Sequence, residues 1–121
     1  MNDLRKDLEK VNSIGQLPID EVCKALEIDT DAGKTFVRFC LANAMLMNRK
    51  QKDYGPRNIS QGGTYGCLIR MSDKISRIFN LYNKQGCKRR AINESIEDSF
   101  RDIANYSIIA LMVENNQWPM Q

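Results

Sequence analysis

The sequence of 121 residues contains no histidine. This absence removes Ser–His and Cys–His nucleophilic chemistry and leaves zinc without its usual nitrogen ligand. The four cysteines, Cys23, Cys40, Cys67 and Cys87, form no C-x-x-C pair, so thiolate ligation of zinc has little support either. Because Cys23, Cys40 and Cys67 fall among apolar positions of predicted helices, we expect reduced and buried thiols there.

Long hydrophobic runs are also missing. The longest strongly apolar run, residues 106–113, is far shorter than the ~20 residues that a membrane helix needs. The start, MNDLRKDLEK, is charged throughout and lacks the apolar core of a signal peptide. Hydrophobic residues make up 42% of the chain and charged residues 27%, as in globular proteins. We therefore expect a cytoplasmic protein with no membrane partner.

The net charge of +3 hides an uneven distribution of charge along the chain. Residues 1–48 carry 6 basic and 8 acidic side chains, a net charge of −2, and residues 91–121 carry 1 basic and 5 acidic, a net charge of −4. Residues 49–90 carry 11 basic side chains against 2 acidic ones, a net charge of +9. A block this positive either faces a phosphate-bearing partner or neutralises acids elsewhere in the fold.

The hydrophobic periodicity predicts a mostly all-α fold: a compact helical bundle in one domain, residues 1–121. Short helices are expected at residues 3–12 and 18–28, within an N-terminal part of 30 residues. The core bundle, residues 31–115, should consist of helices at about residues 31–50, 65–83 and 93–115. Residues 50–66, which contain Gly55-Pro56 and Gly62-Gly63, are predicted to form a long basic loop. Residues 85–92 and 108–113 could be strands instead, but neither alternates cleanly.

Two apolar patterns predict how these helices pack. On the helix at about 65–83, the spacing of six residues predicts a stripe that faces the core: Leu68, Met71, Ile75, Ile78, Phe79 and Tyr82. On the earlier helix, the stripe is predicted at Phe36, Val37, Cys40, Ala44 and Met47. Residues 107–113 are apolar on nearly every side of their helix. This predicts a homodimer or higher homo-oligomer formed through the helix at 93–115.

A basic face lies opposite the first stripe. Arg70, Asp73, Lys74 and Arg77 share one side of their helix, and Glu94, Asp98 and Asp102 stack on one side of the next. If the two helices pack antiparallel, the faces can neutralise each other. The alternative is that the basic face lines a ligand pocket.

The pocket alternative adds the predicted loop to the basic face. Tyr54 offers a ring for stacking, Arg57 a guanidinium fork for phosphate, and Asn58 an amide for base or ribose edges. Glycines 62, 63 and 66 open the next helix, whose N-terminus can present backbone N–H groups to an anion. The pattern predicts a nucleotide-derived ligand. The predicted ligand-binding residues are Tyr54, Gly55, Arg57, Asn58, Arg70, Asp73, Lys74, Arg77 and Asn105.

An enzyme is the less favoured interpretation. Asp98 and Asp102 stand one helical turn apart and could bind Mg²⁺ together. Metal-dependent hydrolysis usually needs a second pair of acids from another helix, and residues 36–52 contain none. We therefore assign no catalytic residue and no cofactor, with Mg²⁺ implied only if the chain is an enzyme. DNA reading is not indicated, because the helix pair at 18–39 lacks a basic leading edge.

Three motifs follow one another in the chain: K-x-Y-G from Lys52, R-x-S-D-K-x-x-R from Arg70, and E-D-x-x-x-D-x-x-N-Y from Glu97. In this order they resemble the phage nucleotide-modification-associated domain, and they are also similar to MazG-like all-α nucleotide pyrophosphohydrolases. The resemblance covers roughly residues 36–114. Residues 1–30 resemble no family that we can name.

The resemblance implies nucleotide binding and leaves hydrolysis open. The second acidic motif of the MazG-like enzymes maps onto Asp98 and Asp102, whereas their first E-x-x-E motif has no counterpart here. A phage nucleotide-binding protein without those acids suggests a sponge. Such a protein sequesters immune signals of the cyclic oligonucleotide or cyclic ADP-ribose type, as the Thoeris anti-defence proteins do. The alternatives are a Mg²⁺-dependent nucleotide pyrophosphohydrolase and a module that binds a macromolecule through the basic block.

Overall fold

A computed structural model describes residues 4–84 and 90–119, without the side chains of residues 90–94. The described residues form five α-helices and no strand: α1 (Leu4–Ser13), α2 (Gln16–Ala25), α3 (Asp31–Tyr54), α4 (Arg57–Tyr82) and α5 (Arg90–Glu114). The all-α prediction is confirmed, and residues 108–113 are helical. Of residues 85–92, which we expect to form a loop rather than a hairpin, residues 85–89 lie outside the described residues. None of the described helices is long and apolar enough to cross a membrane.

Contacts within the chain group into two units, residues 4–48 and residues 49–119 of the described part. The first unit, which we call the N-terminal unit, comprises α1, α2 and most of α3. Its core consists of Val11, Ile19, Cys23 and Ala42. Thr30 caps the start of α3, since its Oγ1 accepts a hydrogen bond from the backbone N–H of Gly33 at 2.9 Å.

The predicted apolar stripe of α3 is wrong in part. Phe36 is 70% exposed and Cys40 is also exposed, so neither belongs to the core. The residue of α3 that is fully buried is Ala42, against which Val37 and Met45 also pack. A small side chain lets helices approach closely, whereas the larger apolar residues on the neighbouring face of α3 stay in solvent within this unit. The prediction of buried thiols holds for Cys23 and Cys67 and fails for Cys40.

The second unit, which we call the C-terminal unit, begins at residue 49 and contains the end of α3 together with α4 and α5. The long loop predicted at residues 50–66 is not present. Only Gly55 and Pro56 separate α3 from α4. Gly55 ends α3 with a φ of 72°, and its N–H donates to the carbonyl of Gln51 at 2.8 Å. Ile59, which is 2% exposed, anchors the start of α4 in the core.

A kink divides α4 at Gly63, where φ is 58° and ψ is −150°. Side chains other than that of glycine rarely adopt this backbone conformation. The kink lies where the sequence predicts the start of a helix, so the part of α4 after it matches the helix predicted at about 65–83. The part before the kink is an additional helical segment within the expected loop.

Helices α4 and α5 run antiparallel and pack along their length. The hydroxyl of Thr64 donates to Glu114 at 2.5 Å, Ser107 Oγ lies 3.2 Å from Met71 Sδ, and Lys74 reaches Asp102. As the residue numbers of these contacts increase along α4, the numbers of their partners on α5 decrease. This confirms the antiparallel arrangement on which cross-neutralisation depends.

The face that α4 turns towards α5 differs from the predicted stripe. Leu68, Ile75, Phe79 and Tyr82 are between 45% and 67% exposed, so the prediction that they face the core of this chain is wrong. Of the predicted stripe, Ile78 is buried and Met71 is half-buried, as predicted. They share the inward face with the buried Cys67 and the half-buried Arg70 and Lys74. The interface between α4 and α5 is therefore mixed, with polar groups in its middle.

Candidate functional site

Asp102 is the centre of a polar cluster inside the C-terminal unit. It lies near the middle of α5 and is 7% exposed. Its Oδ1 is 2.7 Å from the ammonium of Lys50 at the end of α3, and its Oδ2 is 3.1 Å from the ammonium of Lys74 on α4. Each oxygen of one buried carboxylate is thus engaged by a lysine from a different helix. Charged groups in such surroundings are stable only when they are paired, so these contacts hold the three helices in register.

Asp98 lies one turn before Asp102 on the same helix. Loss of hydration raises the pKa of Asp98, and the negative charge of Asp102 raises it further, while Arg101 and Lys50 act in the opposite direction. The carboxyl of Asp98 consequently keeps its proton to higher pH than an exposed aspartate does. This pair of acids is a poor cation site, because both oxygens of Asp102 already contact lysines.

A divalent metal does not fit the residues present. Mg²⁺ needs ionised or carbonyl oxygens with free lone pairs, and Lys50 and Lys74 bring two positive charges against the carboxylate of Asp102. Within residues 4–84 and 90–119, no three acidic or thiol side chains come together as metal ligands. No chemical step through a metal is derived for this site.

Arg70, one helical turn before Lys74 on α4, is a third cation in this unit after Lys50 and Lys74. Its guanidinium carbon lies 5.7 Å from the centre of the Tyr106 ring on α5, within the range of a cation–π contact. Its Nη2 also donates a long hydrogen bond of 3.4 Å to the backbone carbonyl of Asn58. These contacts fix the position of the guanidinium, which is half-buried and leaves further N–H groups to donate.

Asn58, near the start of α4, has a buried side-chain oxygen that accepts no hydrogen bond from the part of the chain that the structure describes. A buried acceptor without a hydrogen bond costs roughly 1–3 kcal/mol, so such atoms are rare in folded proteins. They occur where a water or a ligand supplies the missing donor. Since the backbone of the same residue contacts Arg70, the orphaned oxygen belongs to the same neighbourhood as the cations.

The link between α3 and α4 is held from the C-terminal end of the chain. The indole Nε1 of Trp118 donates to the carbonyl of Pro56 at 3.0 Å. Tyr54 and Arg57 flank this link on either side, and both are exposed, Tyr54 by 68%. The link therefore presents an aromatic ring and a guanidinium to solvent, next in sequence to Asn58.

The structure brings together some of the predicted ligand residues and separates others. Lys74 contacts Asp102, and Arg70 contacts the backbone of Asn58 and the ring of Tyr106. Gly55 belongs to the link between α3 and α4, which Tyr54 and Arg57 flank. Asp73 and Arg77 are exposed on α4. Asn105 is 8% exposed and already engaged within the protein.

Sequence reasoning missed Lys50, Tyr106 and Trp118 as members of this region. Lys50 was an unassigned charge in the basic block, and its role depends on a contact across 52 positions of the chain. The only sequence signal was the surplus of basic residues in residues 49–90. Tyr106 ends the third motif, which marks it as a candidate without specifying Arg70 as its partner.

Residues 50–113, more than half of the chain, match the family model described as nucleotide modification associated domain 1. No curated protein and no solved structure matches. The match begins at Lys50 and contains every residue of the cluster described above. A domain of this kind is what the three sequence motifs predict, while the relations to MazG-like enzymes and to anti-defence sponges stay predictions.

Proposed function

Because the chain belongs to the nucleotide modification associated domain 1 family, we propose that its C-terminal unit binds a phosphate-bearing nucleotide and holds it without cleaving it. The observation that carries this proposal is a surplus of positive charge beside an unpaired acceptor. Lys50 and Lys74 share the buried carboxylate of Asp102, and Arg70, on the same helix as Lys74, contacts the backbone of Asn58, whose side-chain oxygen is orphaned. An anionic ligand with N–H or O–H donors would satisfy both.

Seven of the nine predicted ligand residues have a distinct role in this proposal. Tyr54 stacks on the base, and the exposed guanidinium of Arg57 binds phosphate bidentately. Lys74 and Arg70 approach phosphate from α4, with the exposed Arg77 further along the same helix. Asn58 accepts a hydrogen bond from the base or the ribose. Asn105 acts from within the protein rather than at the surface, since it is buried.

The nucleotide class that we propose is an immune signal, a cyclic oligonucleotide or a cyclic ADP-ribose. The protein would sequester it in the cytoplasm, that of the host if the chain is phage-encoded, and so act as an anti-defence sponge. Two lines of support are the family description and the mapped sequence resemblance. A third is that Asp102, one of the acids on which a MazG-like hydrolase would depend, is already engaged by two lysines.

The alternative, a Mg²⁺-dependent nucleotide pyrophosphohydrolase, requires Asp98 and Asp102 to bind a metal together, for which Asp102 must give up its contacts with Lys50 and Lys74. Removing one positive charge by Lys50→Met would ease that exchange. If the alternative holds, pyrophosphate release with Mg²⁺ should be detectable in the parent protein and should increase in this variant. We expect no release from either.

The test of binding compares matched variants at exposed tyrosines. Purified protein is melted against a panel of nucleotides, cyclic oligonucleotides and cyclic ADP-ribose isomers. A ligand at ~100 times its dissociation constant should add about 2.7 kcal/mol to stability. Tyr54→Ala should abolish most of the shift, whereas Tyr65→Ala, at a tyrosine of similar exposure (74%), should keep it. Equal shifts in both variants would contradict the role of Tyr54, and no shift for any compound would contradict the proposed function.

A further inference from the structure

A row of large apolar side chains on each helix of the C-terminal hairpin has no partner within the described residues. On α4 these are Leu68 (52% exposed), Ile75 (45%), Phe79 (67%) and Tyr82 (45%). On α5 they are Phe100 (52%) and Leu111 (63%). Isolated apolar residues on a surface need no explanation, but a contiguous apolar patch marks an interface.

Helical geometry places both rows on the same side of the hairpin. On α4, Cys67, Lys74 and Ile78 face α5 or the core. The next residue after each of them belongs to the exposed row: Leu68, Ile75 and Phe79. On α5, Phe100 likewise follows the buried Ser99. Successive side chains of an α-helix are rotated by about 100° around the helix axis. In two antiparallel helices that face each other, the residue after each inward-facing one therefore lies on the same side of the helix pair.

The register between the helices then orders this surface into four rows. The contacts of Thr64 with Glu114, Met71 with Ser107 and Lys74 with Asp102 fix which residues stand level with each other. We call the resulting set of eight residues the hairpin face. Its rows are Leu68 with Leu111, Ser72 with Ser107, Ile75 with Ala104, and Phe79 with Phe100. The outer rows are large, and one of the two inner rows consists of small serines.

We propose that the hairpin face is a dimer interface at which a second copy of this chain packs about a twofold axis. An axis through the middle of the face exchanges its ends, so the two phenylalanines meet the two leucines of the partner. The same axis places the row of Ile75 and Ala104 opposite the row of Ser72 and Ser107 of the second copy. The large side chain of Ile75 then packs against small serines. The face is therefore complementary to itself, as a twofold contact requires.

The size and charge of the face suit such a contact. At roughly 100 Å² of exposed surface for each large side chain, the five large apolar residues of the hairpin face offer about 500 Å², and Ala104 and the two serines add to this towards the ~800 Å² per partner of a stable complex. None of the eight residues is charged, as expected at the centre of an interface. Sequence alone predicts self-association through residues 93–115, and the structure adds α4 to that surface. The proposal does not depend on nucleotide binding.

The test uses two isoleucines of one helix with nearly equal exposure. Ile75, 45% exposed, belongs to the hairpin face, whereas Ile69, 48% exposed, is not one of its eight residues. Size-exclusion chromatography with light scattering should show a dimer for the parent chain and for Ile69→Glu. Ile75→Glu places two like charges across the axis and should weaken dimerisation by at least ~100-fold, giving a monomer.

A second variant guards against unfolding. Ser72→Glu alters an exposed serine, so the monomer should keep its helical circular dichroism, and it too should be monomeric. A monomeric parent at every concentration would overturn the proposal. So would a dimer that survives both Ile75→Glu and Ser72→Glu, or a dimer that Ile69→Glu disrupts equally.

Discussion

Replacing Asp102 with asparagine should destabilise the C-terminal unit measurably. The change keeps the size of the side chain and removes the charge that holds Lys50 and Lys74. A hydrogen bond to a charged group contributes about 1.5–3 kcal/mol when buried and ~1 kcal/mol or less when exposed. The lysine side chains are 43% and 29% exposed and can turn to water, so each contact lies towards the lower end of this range.

We therefore expect Asp102→Asn to cost about 2 kcal/mol, near 1 kcal/mol for each lost contact. Lys50→Met should cost about 0.5 kcal/mol, because the more exposed lysine contributes less and Lys74 still neutralises the acid. In the double variant, Asp102→Asn with Lys50→Met, the loss of stability should be smaller than the sum of the two single losses, because both changes remove the same contact between Lys50 and Asp102. Asp73→Asn, at an exposed acid of α4, is the matched control and should change little.

Urea unfolding followed by tryptophan fluorescence suits this measurement. The chain has 1 tryptophan, Trp118, which is half-buried against the α3–α4 link. Its emission therefore reports the C-terminal unit and not the N-terminal one. A cost below ~0.5 kcal/mol for Asp102→Asn, or full additivity with Lys50→Met, would refute the view that this cluster stabilises the three helix segments.

Three further predictions follow from single residues. Burial and then the charge of Asp102 raise the pKa of Asp98 above its ordinary value of 3.8, so the folded state retains a proton that the unfolded chain has lost. Stability should fall as the pH rises through the window above 3.8, and Asp98→Asn should remove that fall in urea titrations between acidic and neutral pH. Gly63→Ala should cost roughly 1–3 kcal/mol in the same assay because of its φ of 58°, whereas Gly62→Ala, with open space around it, should be neutral or stabilising. Asn58→Leu should stabilise the ligand-free protein by about 1 kcal/mol by removing the orphaned acceptor, and calorimetry should show weaker nucleotide binding.

Local patterns predicted the all-α fold and the approximate positions of the helices, and they offered charge pairing between α4 and α5 as one of two alternatives. The spacing of Arg70, Lys74, Asp98 and Asp102 puts opposite charges on two adjacent helices, and the structure joins Lys74 to Asp102. Gly55 and Gly63 were recognised as breaks, but their effect was overestimated. Each glycine changes the direction of the chain within one or two residues, and the burial of Ile59 keeps the segment between them helical.

The face on which α4 packs could not be read from periodicity. Its most regular apolar stripe, which contains Ile75 and Phe79, is exposed, and the mixed face with Lys74 is turned inwards. Periodicity finds the apolar side of a helix but does not say whether the partner lies in the same chain or in another copy. The role of Lys50 was equally inaccessible, because nothing local to α3 indicates a carboxylate on α5.

The central claim is that the protein binds a phosphate-bearing nucleotide and leaves it intact. The most direct measurement incubates the protein with the nucleotide that stabilises it most, in the presence of Mg²⁺ or Mn²⁺, and analyses the released ligand by chromatography after denaturation. We predict that the ligand is recovered unchanged and in proportion to the protein. Recovery of a cleaved product with either metal would contradict the claim and identify the protein as an enzyme.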